Sequence, residues 1–434
     1  LLTDYSKAGA IHILAVSGLH VGIILLILTT LFKPIERLKN GKIIKTILVV
    51  LFLWMFAFIA GLSASVVRAV TMFTFLAIGL TFKRKNVVLF SLISSLFFLL
   101  VFKPMFLFDV GFQLSYLAVF GILWVQPKLY KIWQPKNMIL DKFWQLSTVS
   151  IAAQIGILPL SLFYFHQFPG LFMLSNLIII PFLGAILIGG IIIIALASIG
   201  VLPQFLASIY GAVITLLNSF VSWISKQEQF LLSDISFSFY MMFAAYLVTV
   251  FGVLFLIDKS ANKLIYFLVS FIVVQCVFLF ESNQKNTKKE FIVFHKSRNS
   301  IIGNRVGEKL LINHDLDSLS ISKVSALVSY RVGENLESNY KKEISNMLRF
   351  NNNTILVVDS LGIYQLKNLN NPIVLLQQSP KINLERLIKS IKPKQIIADG
   401  SNYKSYVNRW QKTSEQQKTP FYYTGKNGAY ILKK

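Results

Sequence analysis

The chain is poor in charge, poorer still in acid, and almost without cysteine. Charged residues are 14% of its 434 positions and hydrophobic residues 55%, with a mean hydropathy of +0.62. Soluble domains carry about a quarter charged residues. So little charge argues against one soluble domain or a disordered chain and makes a polytopic membrane protein the natural class. The single cysteine, Cys276, excludes an internal disulfide and a thiolate metal cluster. It sits in an apolar run and reads as a small packed hydrophobe. Asp and Glu number 19 against 43 Lys and Arg, a formal net charge of +24. That excess either sets membrane topology or meets an anion such as nucleic acid or lipid headgroups. No GxxxxGKS/T phosphate loop occurs, so any drive for transport comes from elsewhere. The chain opens Leu1-Leu2-Thr3-Asp4 without methionine and reads as a piece of a longer protein. Its first apolar run is too long for a secretory h-region and lacks a small-residue cleavage site.

What is present divides near Glu281. Before it lie long apolar runs, and after it none. Ten spans of roughly bilayer length are expected, over 10–32, 44–61, 64–82, 86–102, 107–126, 144–165, 171–200, 203–225, 236–257 and 263–281. The seventh is long and contains Pro181 with Gly184, Gly189 and Gly190, which predicts a kink or a partly re-entrant segment. Fourteen basic residues fall on alternate loops: Lys33 to Lys45, Lys83 to Lys85, Lys128 to Lys142, and Lys259 with Lys263. The other side has Lys7, Lys103 and Lys226. The positive-inside rule makes the first side cytoplasmic and puts both chain ends outside.

Residues 282–434 read as a small soluble α/β domain. Strand-like runs lie at Phe291–Phe294, Lys309–Ile312, Thr354–Val358, Ile373–Leu376 and Ile396–Ala398, with helical periodicity at 340–350, 383–391 and 402–417. Asn383 is placed to cap the second helix and Pro393 to end it. The tail is rich in Lys and Asn, which genomic AT bias would also produce.

Ionisable and polar groups within spans are costly and therefore functional candidates. His12, Ser17, Gly18 and His20 lie in one short stretch. The two histidines with a serine suggest a metal site, a nucleophile–base pair, or histidines that are merely hydrogen-bonded near the membrane edge. Arg68 falls about one turn inside the third span, where it faces protein, water or an anion, or else snorkels to the interface. Asp109 and Gln113 are spaced i, i+4, with Ser115 elsewhere on the same helix. Asp109 is placed to pair with Arg68 or a histidine, or to act as a helix N-terminal acid. Ser147, Ser150, Gln154 and Ser161 form a polar stripe ahead of an expected kink at Pro159, and Asn176 precedes Pro181 by five. Such stripes also serve as plain interhelical glue.

Five stretches together resemble the ComEC-type competence family: AGAIHILAVSGLHVGI (8–23), SASVVRAVTMF (63–73), DVGFQLSYLAVFGI (109–122), QIGILPL (154–160) and NLIIIPFLG (176–184). The resemblance implies a multi-pass channel domain over 1–281 in the bacterial inner membrane, passing single-stranded DNA into the cytoplasm during natural transformation. The path would be shaped by His12, Ser17, Gly18, His20, Arg68, Asp109, Gln113, Ser115, Gln154 and Asn176. A separate DNA receptor and a cytoplasmic motor or strand-capturing protein are the implied partners. The segments 293–315 and 391–410 resemble the opening and closing units of the metallo-β-lactamase-like domain that accompanies this family. The HxHxDH metal signature is missing, and only His295 and His314 are present in the tail. No cofactor and no nuclease activity are therefore expected, since a hydrolytic site needs several ligands around an activated water. Two other readings fit the polar residues: a secondary transporter of a small solute, and an intramembrane enzyme using His12, His20 and Asp109.

Overall fold

The computed structural model describes residues 4–5, 16–341, 344–364 and 371–434. Ten apolar helices occur among them: α1 (Gly18–Leu31), α2 (Gly41–Ile59), α3 (Ala64–Thr81), α4 (Val87–Phe102), α5 (Val110–Tyr130), α6 (Met138–Phe165), α7 (Phe172–Ser198), α8 (Gln204–Ser225), α9 (Phe239–Ile257) and α10 (Ala261–Thr287). Eight are long and apolar enough to cross a membrane, and α1 and α4 are shorter apolar helices of 14 and 16 residues. Each falls on one of the ten expected spans. The start of the first span, with His12, lies outside the described residues. The protein is a mainly helical, multi-pass membrane protein followed by a smaller α/β part.

Hydrocarbon leaves backbone amides no partner but their own helix, which is why apolar runs of this length become continuous helices. The bundle faces follow the sequence. Val49, Leu53 and Ala57 recur every fourth residue on α2 and pack with Val21, Leu25, Val66 and Val70. Leu51, Phe58, Phe97 and Ile194 point away from the protein, as lipid-facing side chains do. Pro181 and Pro159 do not end their helices. Helix α7 runs unbroken through Pro181, and α6 continues through Pro159 to Phe165. In an apolar medium a helix loses less by forgoing one hydrogen bond than by unwinding and stranding several amides. Cys276 is also not packed inside: it is exposed on the outer flank of α10.

The chain forms two compact units. One comprises Leu1–Asp234 and Met242–Phe271, and the other Ile235–Met241 and Ile272–Lys434. The second holds two five-stranded sheets. Strands β1 (Lys289–Lys296), β2 (Asn299–Val306), β3 (Lys309–His314) and β4 (Glu337–Lys341) join β10 (Tyr430–Lys433) in the order β10-β1-β2-β3-β4. Strands β5 (Met347–Phe350), β6 (Asn353–Val358), β7 (Ile373–Leu376), β8 (Gln395–Ala398) and β9 (Phe421–Tyr423) form the other, in the order β9-β8-β7-β6-β5. Phe291, Val293, Ile302, Val357, Leu375 and Ile397 meet between the sheets. The alternate residues Ile292, Phe294 and Ile301 pack outward with Ile321 and Leu327, the latter on α11 (Ser325–Glu334). Leu356, Val374 and Ala398 pack outward on α12 (Leu384–Ile391) and α13 (Lys404–Gln416). The order of layers is helix, sheet, sheet, helix. Burial on both faces explains the unbroken apolar strands. Asn383 caps α12 by accepting from the Arg386 N–H at 3.1 Å, and Pro393 lies just beyond its end. Among the described residues of 340–350 no helix forms. Met347–Phe350 turns instead through Asn351, at φ 51°, into a hairpin with β6, burying Phe350 between the sheets.

Candidate functional site

Several polar residues of the membrane unit lie where α1, α3 and α5 begin. Ser17 precedes α1 in extended conformation. Its N–H donates to His20 Nδ1 at 3.2 Å, and its hydroxyl lies 3.0 Å from the same nitrogen. His20 thus holds the place that Glu or Gln takes in a capping box. Ser17 and His20 meet as a local cap, and Gly18 begins the helix. The hydroxyl of Ser65, in the first turn of α3, donates to the Val16 carbonyl at 2.9 Å and ties the starts of α1 and α3 together.

Arg68, one turn further into α3, is 8% exposed. Its Nη1 donates to Asp109 Oδ1 at 3.2 Å. It therefore does not snorkel. The same Oδ1 accepts from the Phe112 N–H at 2.7 Å, making Asp109 the N-cap of α5. Both sequence-level roles of Asp109, ion pair and helix-terminal acid, are met by one oxygen. Asp109 and Gln113, spaced i, i+4, make separate side-chain contacts. Gln113 turns elsewhere: its Nε2 donates to the Leu107 carbonyl at 2.7 Å, and its Oε1 accepts from the Tyr164 hydroxyl of α6 at 3.0 Å. Ser115 is exposed and joins neither group. Tyr116, one turn on from Phe112, donates to Ser95 of α4 at 3.0 Å.

Deeper in the unit, α5 and α6 touch backbone to backbone. A Cβ on Gly121 would lie 2.6 Å from the Ala152 carbonyl oxygen, and one on Gly156 would lie 2.5 Å from that of Leu117. The Tyr246 hydroxyl of α9 donates to the Gly156 carbonyl at 3.1 Å. Ser147 and Ser150 are buried and Gln154 is half-buried. On α7, Asn176 Oδ1 and Ser175 Oγ are buried without a hydrogen-bond partner among the described residues, as are Thr74 Oγ1 and Arg68 Nε on α3. Buried polar atoms are rarely left unmet, and in the C-terminal unit Asn304 Oδ1, Arg305 Nη2 and His314 Nδ1 stand the same way. Thr74 and Ser175 were not singled out from sequence. A hydroxyl in an apolar run gives no signal until its neighbours are known.

In the second unit the acid after β8, Asp399, is fully buried. Ser300 Oγ donates to Oδ2 at 2.6 Å, and the Ser401 N–H and hydroxyl and Asn402 Nδ2 donate to Oδ1. Burial pushes its carboxyl up to about 6, against the pull of the Ser300 and Ser401 hydrogen bonds and helped by the charge of Asp315. His295 Nδ1 lies 3.0 Å from Thr424 Oγ1, and burial lowers the imidazole from its ordinary value. His314 is buried on the outer face of its sheet. Among the described residues no group of three or more His, Cys, Asp or Glu is arranged to hold a metal ion.

Comparison with known proteins agrees with this organisation. Residues 291–434 match the family described as ComEC C-terminal domain. Over 227 residues the chain is 32% identical to ComE operon protein 3 of Bacillus subtilis (strain 168), which takes in 52% of this chain and 27% of that protein. The matched stretch is thus little more than a quarter of that relative's length. No solved structure matches. Residues 1–260, more than half of the sequence, match the family described as Competence protein, and the chain belongs to that family.

Proposed function

We propose that this protein takes part in DNA uptake during natural transformation, as the component that passes one strand across the bacterial inner membrane. Membership of the competence family supports the role. The observation that carries the strand path is Arg68: a buried cation at the helix ends where α1, α3 and α5 begin, whose Nε has no partner among the described residues. A phosphate chain needs positive charge at the mouth and polar groups behind it, with little demand for sequence readout. The fourteen basic residues on alternate loops put the opposite ends of these helices in the cytoplasm. Arg68, Asp109 and the C-terminal domain then face outward, toward incoming DNA.

The C-terminal domain acts in this reading as a non-hydrolytic accessory. The support is twofold. The sequence lacks HxHxDH, and the Asp399 carboxylate is occupied by four donors of its own chain. Drive comes from a separate cytoplasmic motor or strand-capturing protein, and a separate receptor delivers the DNA. The solute-transporter alternative leaned on a broken seventh span, and α7 is continuous.

Uptake of labelled DNA by transformable cells tests the proposal. Cells carrying Arg68→Ala at normal protein level are expected to import about tenfold less DNA or worse, the loss of roughly one charge-assisted contact. Wild-type uptake in that strain removes Arg68 from the path, and normal transformation in a deletion strain removes the function.

A further inference from the structure

We infer that Asp109 is a displaceable counter-ion: a phosphodiester group of the entering strand replaces its carboxylate on the buried Arg68 guanidinium. The inference rests on the strand-passage reading and adds how the charged site is kept closed and what opens it.

The pairing is incomplete on the arginine side. A guanidinium offers five N–H donors in a rigid fork suited to two oxygens at once. Arg68 makes one ion contact, from Nη1, and its buried Nε has no partner among the described residues. A phosphate oxygen pair satisfies such a fork better than one carboxylate oxygen does. Exposure is also unequal: the Arg68 side chain is 9% exposed and that of Asp109 is 44% exposed. The carboxylate is the outer member, met first by anything arriving from the solvent side. Asp109 has somewhere to rest when displaced, because its Oδ1 is held independently by the Phe112 N–H at the start of α5. That helix terminus favours negative charge whether or not Arg68 is engaged. Finally, Gly111 keeps a flank of the guanidinium uncovered. A Cβ there would stand 3.2 Å from Arg68 Nη2 and 3.3 Å from Asp109 Oδ1, and Gly111 itself is exposed.

The consequence is selection by valence. A neutralised pair gives a stray small anion little to gain. A strand presents many phosphates at high local concentration and competes Asp109 away.

Asp109→Asn tests this without unmaking the helix, since asparagine is an equally good N-cap and keeps an acceptor for the Phe112 N–H. The full chain, reconstituted in phosphatidylcholine nanodiscs, is titrated with a labelled oligothymidylate at low and physiological salt. The expected result is about tenfold tighter binding by the variant, or about 1.4 kcal/mol. The salt slope steepens by about one phosphate contact. The gain disappears when Arg68→Gln is added, and Asp109→Ser, which also caps, reproduces it. If Arg68→Gln alone weakens binding but both Asp109 variants bind as the wild type does, the counter-ion role is overturned while the strand site stands. If Arg68→Gln changes nothing, the strand-passage reading at Arg68 fails first. If Asp109→Asn instead retains phosphatidylglycerol through purification with no gain for the oligonucleotide, the site serves a lipid headgroup and the inference is overturned.

Discussion

Among the described residues two arginines are buried, each with one buried nitrogen lacking a partner, and they differ in how many partners hold the rest. Arg305, on β2 of the C-terminal unit, is fully buried; its Nη1 reaches Glu290 at 3.3 Å, Glu334 at 2.9 Å and the Tyr330 hydroxyl at 3.2 Å, and its Nε donates to the Gly307 carbonyl. Lys288 braces Glu334 in turn at 3.2 Å. Burial alone would raise Glu334, but Arg305 and Lys288 overcome it and hold the carboxyl below its ordinary value. Arg68 has one carboxylate, half-exposed and shared with a helix cap. Buried positive charge is therefore not in itself an anion site. The number and depth of its partners decide whether the charge is locked into the fold or left available.

The largest expected effect breaks the locked case. Arg305→Met leaves the buried Glu290 without its arginine and Glu334 with Lys288 alone, and should cost about 3–5 kcal/mol. Hydrogen exchange of β1–β3 peptides in the full chain would register this as lost protection, while the membrane helices stay protected. Unchanged protection would mean that the cluster is dispensable.

Next comes Asp399, where the buried group is an acid. Its folded carboxyl titrates at about 6 and its unfolded one near 3.8, so the folded state binds the proton more tightly. The stability this contributes is full below the unfolded value and is lost as pH rises through about 6, by up to about 3 kcal/mol. His295 titrates with the opposite sign, since burial lowers it, but it is common to wild type and Asp399→Asn. The wild-type stability minus that of Asp399→Asn should thus fall as pH goes from 5 to 7.5. A flat difference, measured by exchange in the β8 strand, would refute the assignment.

A smaller effect is expected at the α5–α6 crossing. Gly156→Ala drives a methyl into the Leu117 carbonyl and should lower thermal stability in detergent by about 1–3 kcal/mol, the usual cost of overpacking. At a looser position such as Gly211, where an added Cβ meets nothing within 4 Å, the same change should be nearly silent.

Much of this was legible in the sequence, for identifiable reasons. Ten hydrophobic runs became ten helices because hydrocarbon permits little else. Arg68 and Asp109 were legible as partners because charges inside spans must find each other. Strands β6, β7 and β8 stood out because both their faces are buried. The hidden parts depend on context. Glu337–Lys341 is a largely exposed edge strand of polar residues, without alternation to betray it. Met347–Phe350 has helix-forming residues whose fate is set by the turn at Asn351. Pro181 was read as a kink or a partly re-entrant segment and Pro159 as a kink, and both lie within continuous helices.

The contact between Gly121 and Gly156 carries a mechanical consequence. Two helices whose backbones already touch have no slack: they cannot close further, and they part only by breaking that backbone-to-backbone contact. Tyr246 pins the same spot from a third helix. If a bulky polymer is to thread this unit, α5 and α6 act as the fixed post.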